Sequence, residues 1–127
     1  ETIVFTASED GLLRNNIRNR GAMVEVMDRK KGVVDFEKVI CRLADLDTND
    51  LLIEAGSMVT RNVLQSGLWD QLVVYVAPKI IGRQGLGALG ISSPELLGEV
   101  LQLSLEDHAL LGNDLRLTFR NLSARGK

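Results

Sequence analysis

The sequence predicts an α/β fold, a mixed sheet with helices on its faces that closes in an antiparallel hairpin. Three observations carry this. Short apolar, β-branched runs alternate with amphipathic stretches over the first two thirds of the chain, the order expected of βαβ units. The run Leu51-Leu52-Ile53 is wholly apolar, as in a strand covered on both faces. The last third changes character: residues 101–105 and 115–120 alternate apolar with polar around the turn residues Gly112-Asn113-Asp114, the pattern of half-buried antiparallel strands. At 127 residues, with 45% apolar and 25% charged residues, the chain reads as one domain (1–127) with a real core. Enough apolar surface is present to offset chain entropy, so disorder is excluded.

Taken in order, residues 2–6 form a first strand. Ser8, followed by Glu9 and Asp10, is placed to cap a short helix whose stripe is Leu12, Leu13 and Ile17 and whose stop is Gly21. Residues 22–27 form a second strand. The run Asp28-Arg29-Lys30-Lys31-Gly32 reads as a solvated charged turn. Asp35 caps the clearest helix, with Phe36, Val39, Ile40 and Leu43 on one face. After a polar turn over 45–50 and the strand at 51–53, Gly56 and Ser57 open a helix that runs to Ser66 and stops at Gly67. Residues 72–77 form a strand stopped by Pro78. A Gly-rich loop then leads to Pro94, which suits the first position of a short turn over 95–98.

Charge and cysteine content exclude several classes. The balance of 17 acidic against 15 basic residues offers no basic excess for a phosphate backbone, so nucleic acid is not an expected partner. No apolar run approaches a membrane span. The single cysteine, Cys41, forbids an internal disulfide and, with no signal peptide, fits a reducing cytoplasmic setting. The chain opens Glu1-Thr2-Ile3-Val4-Phe5, without Met and already in a strand, and is expected to be a piece of a longer polypeptide.

The loudest motif is Gly85-Leu86-Gly87-Ala88-Leu89-Gly90, a literal G-x-G-x-x-G. A dinucleotide fingerprint needs a helix to begin inside it, and Pro94 four residues on stops one, so a surface loop is expected. His108 is the only histidine and has neither a cysteine cluster nor a catalytic set around it, so no metal site is expected. Cys41, beside Ile40, reads as a buried inert thiol. Trp69 reads as packing or an oligomer contact. Asn121-Leu122-Ser123 matches a glycosylation sequon that carries no weight without a secretory context.

The better site is Leu51-Leu52-Ile53-Glu54-Ala55-Gly56-Ser57, an apolar strand that ends in a carboxylate, then a glycine, then a helix start. Ligands of open α/β sheets bind beyond the carboxyl ends of strands. A helix start presents free N–H groups and a positive dipole that suit phosphate. Gly56 permits close backbone approach, and Ser57 either caps the helix or donates its hydroxyl to a phosphate. A carboxylate ending a core strand must be paired or used, so Glu54 is either an ion-pair partner or a ligand group.

These residues lie within a longer resemblance. Residues 51–57, then Val63-Leu64-Gln65-Ser66-Gly67-Leu68-Trp69-Asp70-Gln71-Leu72, then Tyr75-Val76-Ala77-Pro78-Lys79-Ile80-Ile81-Gly82 resemble the reductase domain of the bacterial riboflavin-biosynthesis bifunctional deaminase–reductase. That family shows an apolar strand ending Glu-(Gly/Ala)-Gly, a helix closing Gly-Leu-x-Asp-Glu-Leu, and a Tyr-x-Ala-Pro-Lys-x-x-Gly strand end. Gly112-Asn113-Asp114-Leu115-Arg116 also resembles its closing Gly-x-Asp-x-Arg hairpin. Over residues 1–50 the match is mainly one of element order.

The resemblance implies a dihydrofolate-reductase-like fold, NADPH as hydride donor, and reduction of 5-amino-6-(5-phosphoribosylamino)uracil at its ribosyl carbon. By position it implies that Glu54 faces substrate and that Gly56, Ser57, Met58, Val59, Thr60 and Arg61 cradle the NADPH phosphates, with Thr6 a weaker cofactor contact. Met58 and Val59 act there through backbone N–H groups while their side chains stay in the core. No residue is assigned a catalytic role, because hydride transfer asks mainly for placement. The family's opening strand, Pro-x-Val-x-x-Lys-x-Ala-x-Ser-x-Asp-Gly, and its Arg-rich substrate-phosphate region are not in these 127 residues. The N-terminal part of the domain is thus expected to be missing, and the chain alone is expected to be inactive. The resemblance further implies a homodimer and an upstream zinc-dependent deaminase domain. A reading from another class is a non-catalytic nucleotide-binding or dimerisation module on the same fold.

Overall fold

The computed structural model describes residues 2–30, 32–82, 84–91 and 100–122. The expected turn over 95–98 and Ser123 of the sequon lie outside them. The chain forms two compact units, Glu1–Leu52 and Ile53–Lys127.

The first unit opens with a βαβ element. Strand β1 (Ile3–Thr6) pairs in parallel with β2 (Met23–Val26), in the register Ile3↔Met23 to Thr6↔Val26, and helix α1 (Gly11–Arg18) makes the crossover. The cap of α1 is Asp10 rather than Ser8: Asp10 Oδ1 accepts from Leu12 N–H (2.9 Å) and Leu13 N–H (3.1 Å). Ser8 instead accepts from Asp10 N–H, one step back, because a carboxylate in this position outcompetes a hydroxyl for helix-start donors. Leu12 and Leu13 are exposed while Ile17 is half-buried, so the expected stripe is covered only at its far end.

The charged run is not all turn. Arg29–Lys30 (β3) pairs antiparallel with Val33–Val34 (β4) around Gly32, whose φ of +83° few other residues adopt. Its charges are satisfied outward, Lys30 on Glu37 and Asp28 on Lys38. Helix α2 (Phe36–Asp45) is capped by Asp35 as expected, with Phe36, Val39, Ile40 and Leu43 half-buried. Cys41 is exposed, which corrects the buried-thiol expectation: it sits one position past Ile40, rotated by about 100° off that stripe. Arg42 of α2 grips Glu25 of β2 with two bonds, 2.7 and 2.8 Å, and holds the Glu25 carboxyl below its ordinary range.

The second unit holds helix α3 (Ser57–Ser66) and a three-stranded antiparallel sheet of order β5-β7-β6, with β5 Gln71–Val76, β6 Leu103–Leu111 and β7 Asp114–Asn121. The expected closing hairpin is present and longer than its pattern suggested. β6 runs on to Leu111 through a register shift between Leu105 and Asp107. Alternation sets the two faces. Leu72 and Val74 of β5 lie beside Leu117 and Phe119 of β7 on one face; Gln71, Val73 and Tyr75 lie beside Arg120, Thr118 and Arg116 on the other. The polar face is tied by Arg116–Asp107 and Arg120–Glu106 ion pairs.

The buried apolar side chains among the described residues are Val63, Leu64 and Trp69. Trp69 packs as expected, its indole N–H donating to Leu64 O at 3.3 Å. Gly67 ends α3 in the left-handed conformation, φ +71°. Gly67→Ala is expected to lower stability by about 1 kcal/mol, read as a shifted urea midpoint at unchanged slope, since a Cβ there meets no atom within 4 Å and only the backbone conformation objects.

Candidate functional site

The start of α3 presents backbone N–H groups that no side chain caps. Gly56 is its N-cap, in ordinary extended backbone (φ −72°, ψ 169°), and contributes no side-chain cap. The ladder begins with Thr60 N–H donating to Gly56 O at 3.1 Å, which leaves the N–H groups of Ser57, Met58 and Val59 as the orphan donors of the helix end. A Cβ built on Gly56 meets nothing within 4 Å, so the space beside this residue is open. Thr60 Oγ1 donates to Ala55 O (3.3 Å) and ties the incoming chain to the first turn. Arg61 follows, half-buried, with no ion pair among the described residues. The six residues 56–61 are thus brought together by one local element, and a phosphate-bearing cofactor fits them.

Two expectations about this site are corrected. Met58 and Val59 keep their backbone position, but their side chains are 60% and 46% exposed rather than core. The apolar cover of α3 gathers at its far half, on Val63 and Leu64, where Trp69 lies. The run 51–53 is not a strand: it has no paired neighbour among the described residues, and Leu52 is 82% exposed. A run this short takes its strand character from partners on both sides, not from its own residues. Glu54 is consequently exposed, and among the described residues it makes no hydrogen bond or ion pair. The ion-pair alternative for Glu54 thus has no partner among the described residues. Thr6 ends β1 in the first unit, its hydroxyl accepting from Ser8 N–H at 3.1 Å.

Two residues carry more than their sequence context suggested. Asn121, read only as part of a sequon, is fully buried and donates through Nδ2 to Gly67 O (3.2 Å) and Trp69 O (3.0 Å). The available signal was register: 115, 117, 119 and 121 share a face, and an amide in an inward position needs partners. Gly90, in the loop set aside as surface, lies against Ser57. His108 is exposed on β6. Among the described residues no group of His, Cys, Asp and Glu gathers to hold a metal, and no helix is long and apolar enough to cross a membrane.

Comparison with known proteins shows the family of the chain. The riboflavin biosynthesis protein RibD of Aquifex aeolicus is 31% identical over 120 residues, 94% of this chain and 32% of that protein. RibD of Actinobacillus pleuropneumoniae is 27% identical over 93% of this chain and 32% of its own length. A 5-amino-6-(5-phosphoribosylamino)uracil reductase from Buchnera aphidicola is 29% identical over 79% of this chain and 47% of its own. The solved structure of Acinetobacter baumannii RibD superposes with a TM-score of 0.69 at 25% identity, covering 93% of this chain and 36% of that one, so the fold is the α/β reductase fold seen there. The chain thus spans about a third of the RibD relatives it matches. The profile of the RibD C-terminal domain matches residues 1–117, and the chain belongs to that family.

Proposed function

We propose that residues 1–127 are the C-terminal portion of one NADPH-dependent reductase domain, working within a longer polypeptide that reduces 5-amino-6-(5-phosphoribosylamino)uracil in riboflavin biosynthesis. The observation that carries this is the uncapped start of α3 behind an open Gly56, in a chain of the RibD C-terminal domain family. Gly56 to Arg61 hold the cofactor phosphates: three backbone N–H groups and the helix dipole supply fixed positive potential, and Arg61 adds a full charge. The nicotinamide supplies the hydride delivered to the ribosyl carbon. Glu54, two residues before the cradle, meets the substrate hydroxyls. An upstream zinc-dependent deaminase domain, a homodimer and a cytoplasmic location complete the reading; exposed Val73 and Tyr75 on β5, an edge strand among the described residues, support self-association.

The test is NADPH oxidation with the pyrimidine substrate. The full-length polypeptide is expected to turn over and residues 1–127 alone to show none above background. Comparable rates from the chain alone would mean that the substrate site lies wholly inside it. Glu54→Gln in the full-length protein is expected to lower kcat/KM roughly ten-fold, the scale of one charged hydrogen bond, with NADPH affinity unchanged. A lower melting temperature with normal kinetics would instead make Glu54 structural.

A further inference from the structure

The G-x-G-x-x-G segment has no helix of its own among residues 84–91, yet its last glycine is not idle. Gly90 has φ +61°, and a Cβ built on it would lie 2.6 Å from Ser57 O, 3.1 Å from Ser57 C and 3.2 Å from Ser57 Cβ. Backbone cannot move aside as a flexible side chain does. The Ser57 carbonyl is moreover the acceptor that a helix start requires for the N–H four residues on. The other two glycines of the motif differ. A Cβ on Gly87 meets nothing within 4 Å, and one on Gly85 meets first the Ile81 Cγ2 methyl, at 2.9 Å, with its nearest backbone atom, Gly82 O, at 3.4 Å. One position of this loop, and not its general flexibility, is therefore matched to the first turn of α3.

We propose that Gly90 is a positioning residue for the cofactor: lacking a Cβ, it lets the 84–91 segment rest on Ser57 and fixes the first turn of α3, so that the N–H groups of Ser57, Met58 and Val59 stay aimed at the phosphates. The proposal rests on the cofactor reading given above. Any side chain at position 90 must lift the loop or tilt the turn. Either movement disturbs donors whose worth depends on fixed aim. Nothing in this contact touches the reacting carbon, so its loss falls on cofactor binding and not on the chemical step.

Two features of Gly90 must be separated, its positive φ and its missing Cβ. Alanine offends both, whereas asparagine tolerates the left-handed backbone but keeps the Cβ. In the full-length protein, Gly90→Ala and Gly90→Asn are each expected to raise the NADPH Kd and KM about five-fold or more, with kcat at saturating NADPH within about two-fold of the parent. Gly87→Ala is expected to bind as the parent does. Parent-like affinity in Gly90→Asn overturns the proposal, since backbone conformation alone would then explain the glycine. Gly56→Val, titrated alongside, separates the two failures. If it weakens NADPH while both Gly90 variants bind normally, only the positioning role is lost; if it too binds normally, the cofactor reading falls and the proposal with it. A measurement on the unsubstituted protein holds even if the variants fold poorly. NADPH is expected to slow amide hydrogen exchange together in residues 57–61 and 84–91; protection confined to the helix would overturn the proposal.

Discussion

Gly56→Val in the full-length protein is expected to weaken NADPH binding by about 2 kcal/mol or more, roughly thirty-fold. The expectation comes from what the position is and what it is not. Its φ of −72° suits any L residue, and a Cβ there meets no atom within 4 Å. Valine therefore folds without collision, at the cost of a poorer helix cap, an effect of about 1 kcal/mol or less on stability. What valine does obstruct is the open side of the helix start, where a ligand must come within hydrogen-bond distance of backbone N–H groups. A fluorescence titration of NADPH measures the loss, and a melt on the same sample shows that folding is not its source. Unchanged affinity would remove the start of α3 from the cofactor site.

The second large effect belongs to stability. Asn121→Ala is expected to cost about 2–4 kcal/mol, read as a lowered urea midpoint. The side chain is fully buried, and its amide N–H groups satisfy the Gly67 and Trp69 carbonyls at the point where α3 turns toward β5. Alanine leaves both acceptors without their donor and empties the space between them. Asn121→Asp keeps the shape but sets a carboxylate oxygen against two carbonyl oxygens, and is expected to be at least as damaging. A midpoint unmoved by either change would mean that the anchor contributes nothing to the fold.

The helix of the candidate site was legible because its causes are local. The Gly56–Gly67 helix needs only a flexible residue before it, a run of formers and a left-handed stop, all written within twelve residues. Helix α2 was legible for the same reason, from Asp35 and its apolar stripe. What could not be read locally depends on partners. The run 51–53 has strand composition, but a strand exists only where its backbone groups meet another's, and no composition supplies that neighbour. The surroundings of Glu54 were misjudged with it, because a buried carboxylate was inferred from a buried strand. The choice between Ser8 and Asp10 as cap turned on two adequate residues two positions apart, and the β3–β4 hairpin was hidden by charges that look outward from its edge. The loop of Gly90 is exposed, as its composition suggests, but exposure does not explain the glycine. Its reason is a contact with Ser57, thirty-three positions away in the chain.

The Asn121 anchor also sets an order of assembly on the ribosome. The helix that carries the proposed cradle is closed at its far end by a residue 54 positions later, on β7. At about 5–20 residues per second, α3 waits several seconds after its own synthesis before that amide exists to receive it. During that interval the helix end has only local ties, such as the Trp69 indole N–H on Leu64 O. Strand β7 is thus a latch that arrives well after the helix it fastens. Release of the chain anywhere short of residue 121 yields a helix start of the right sequence on an unfastened helix.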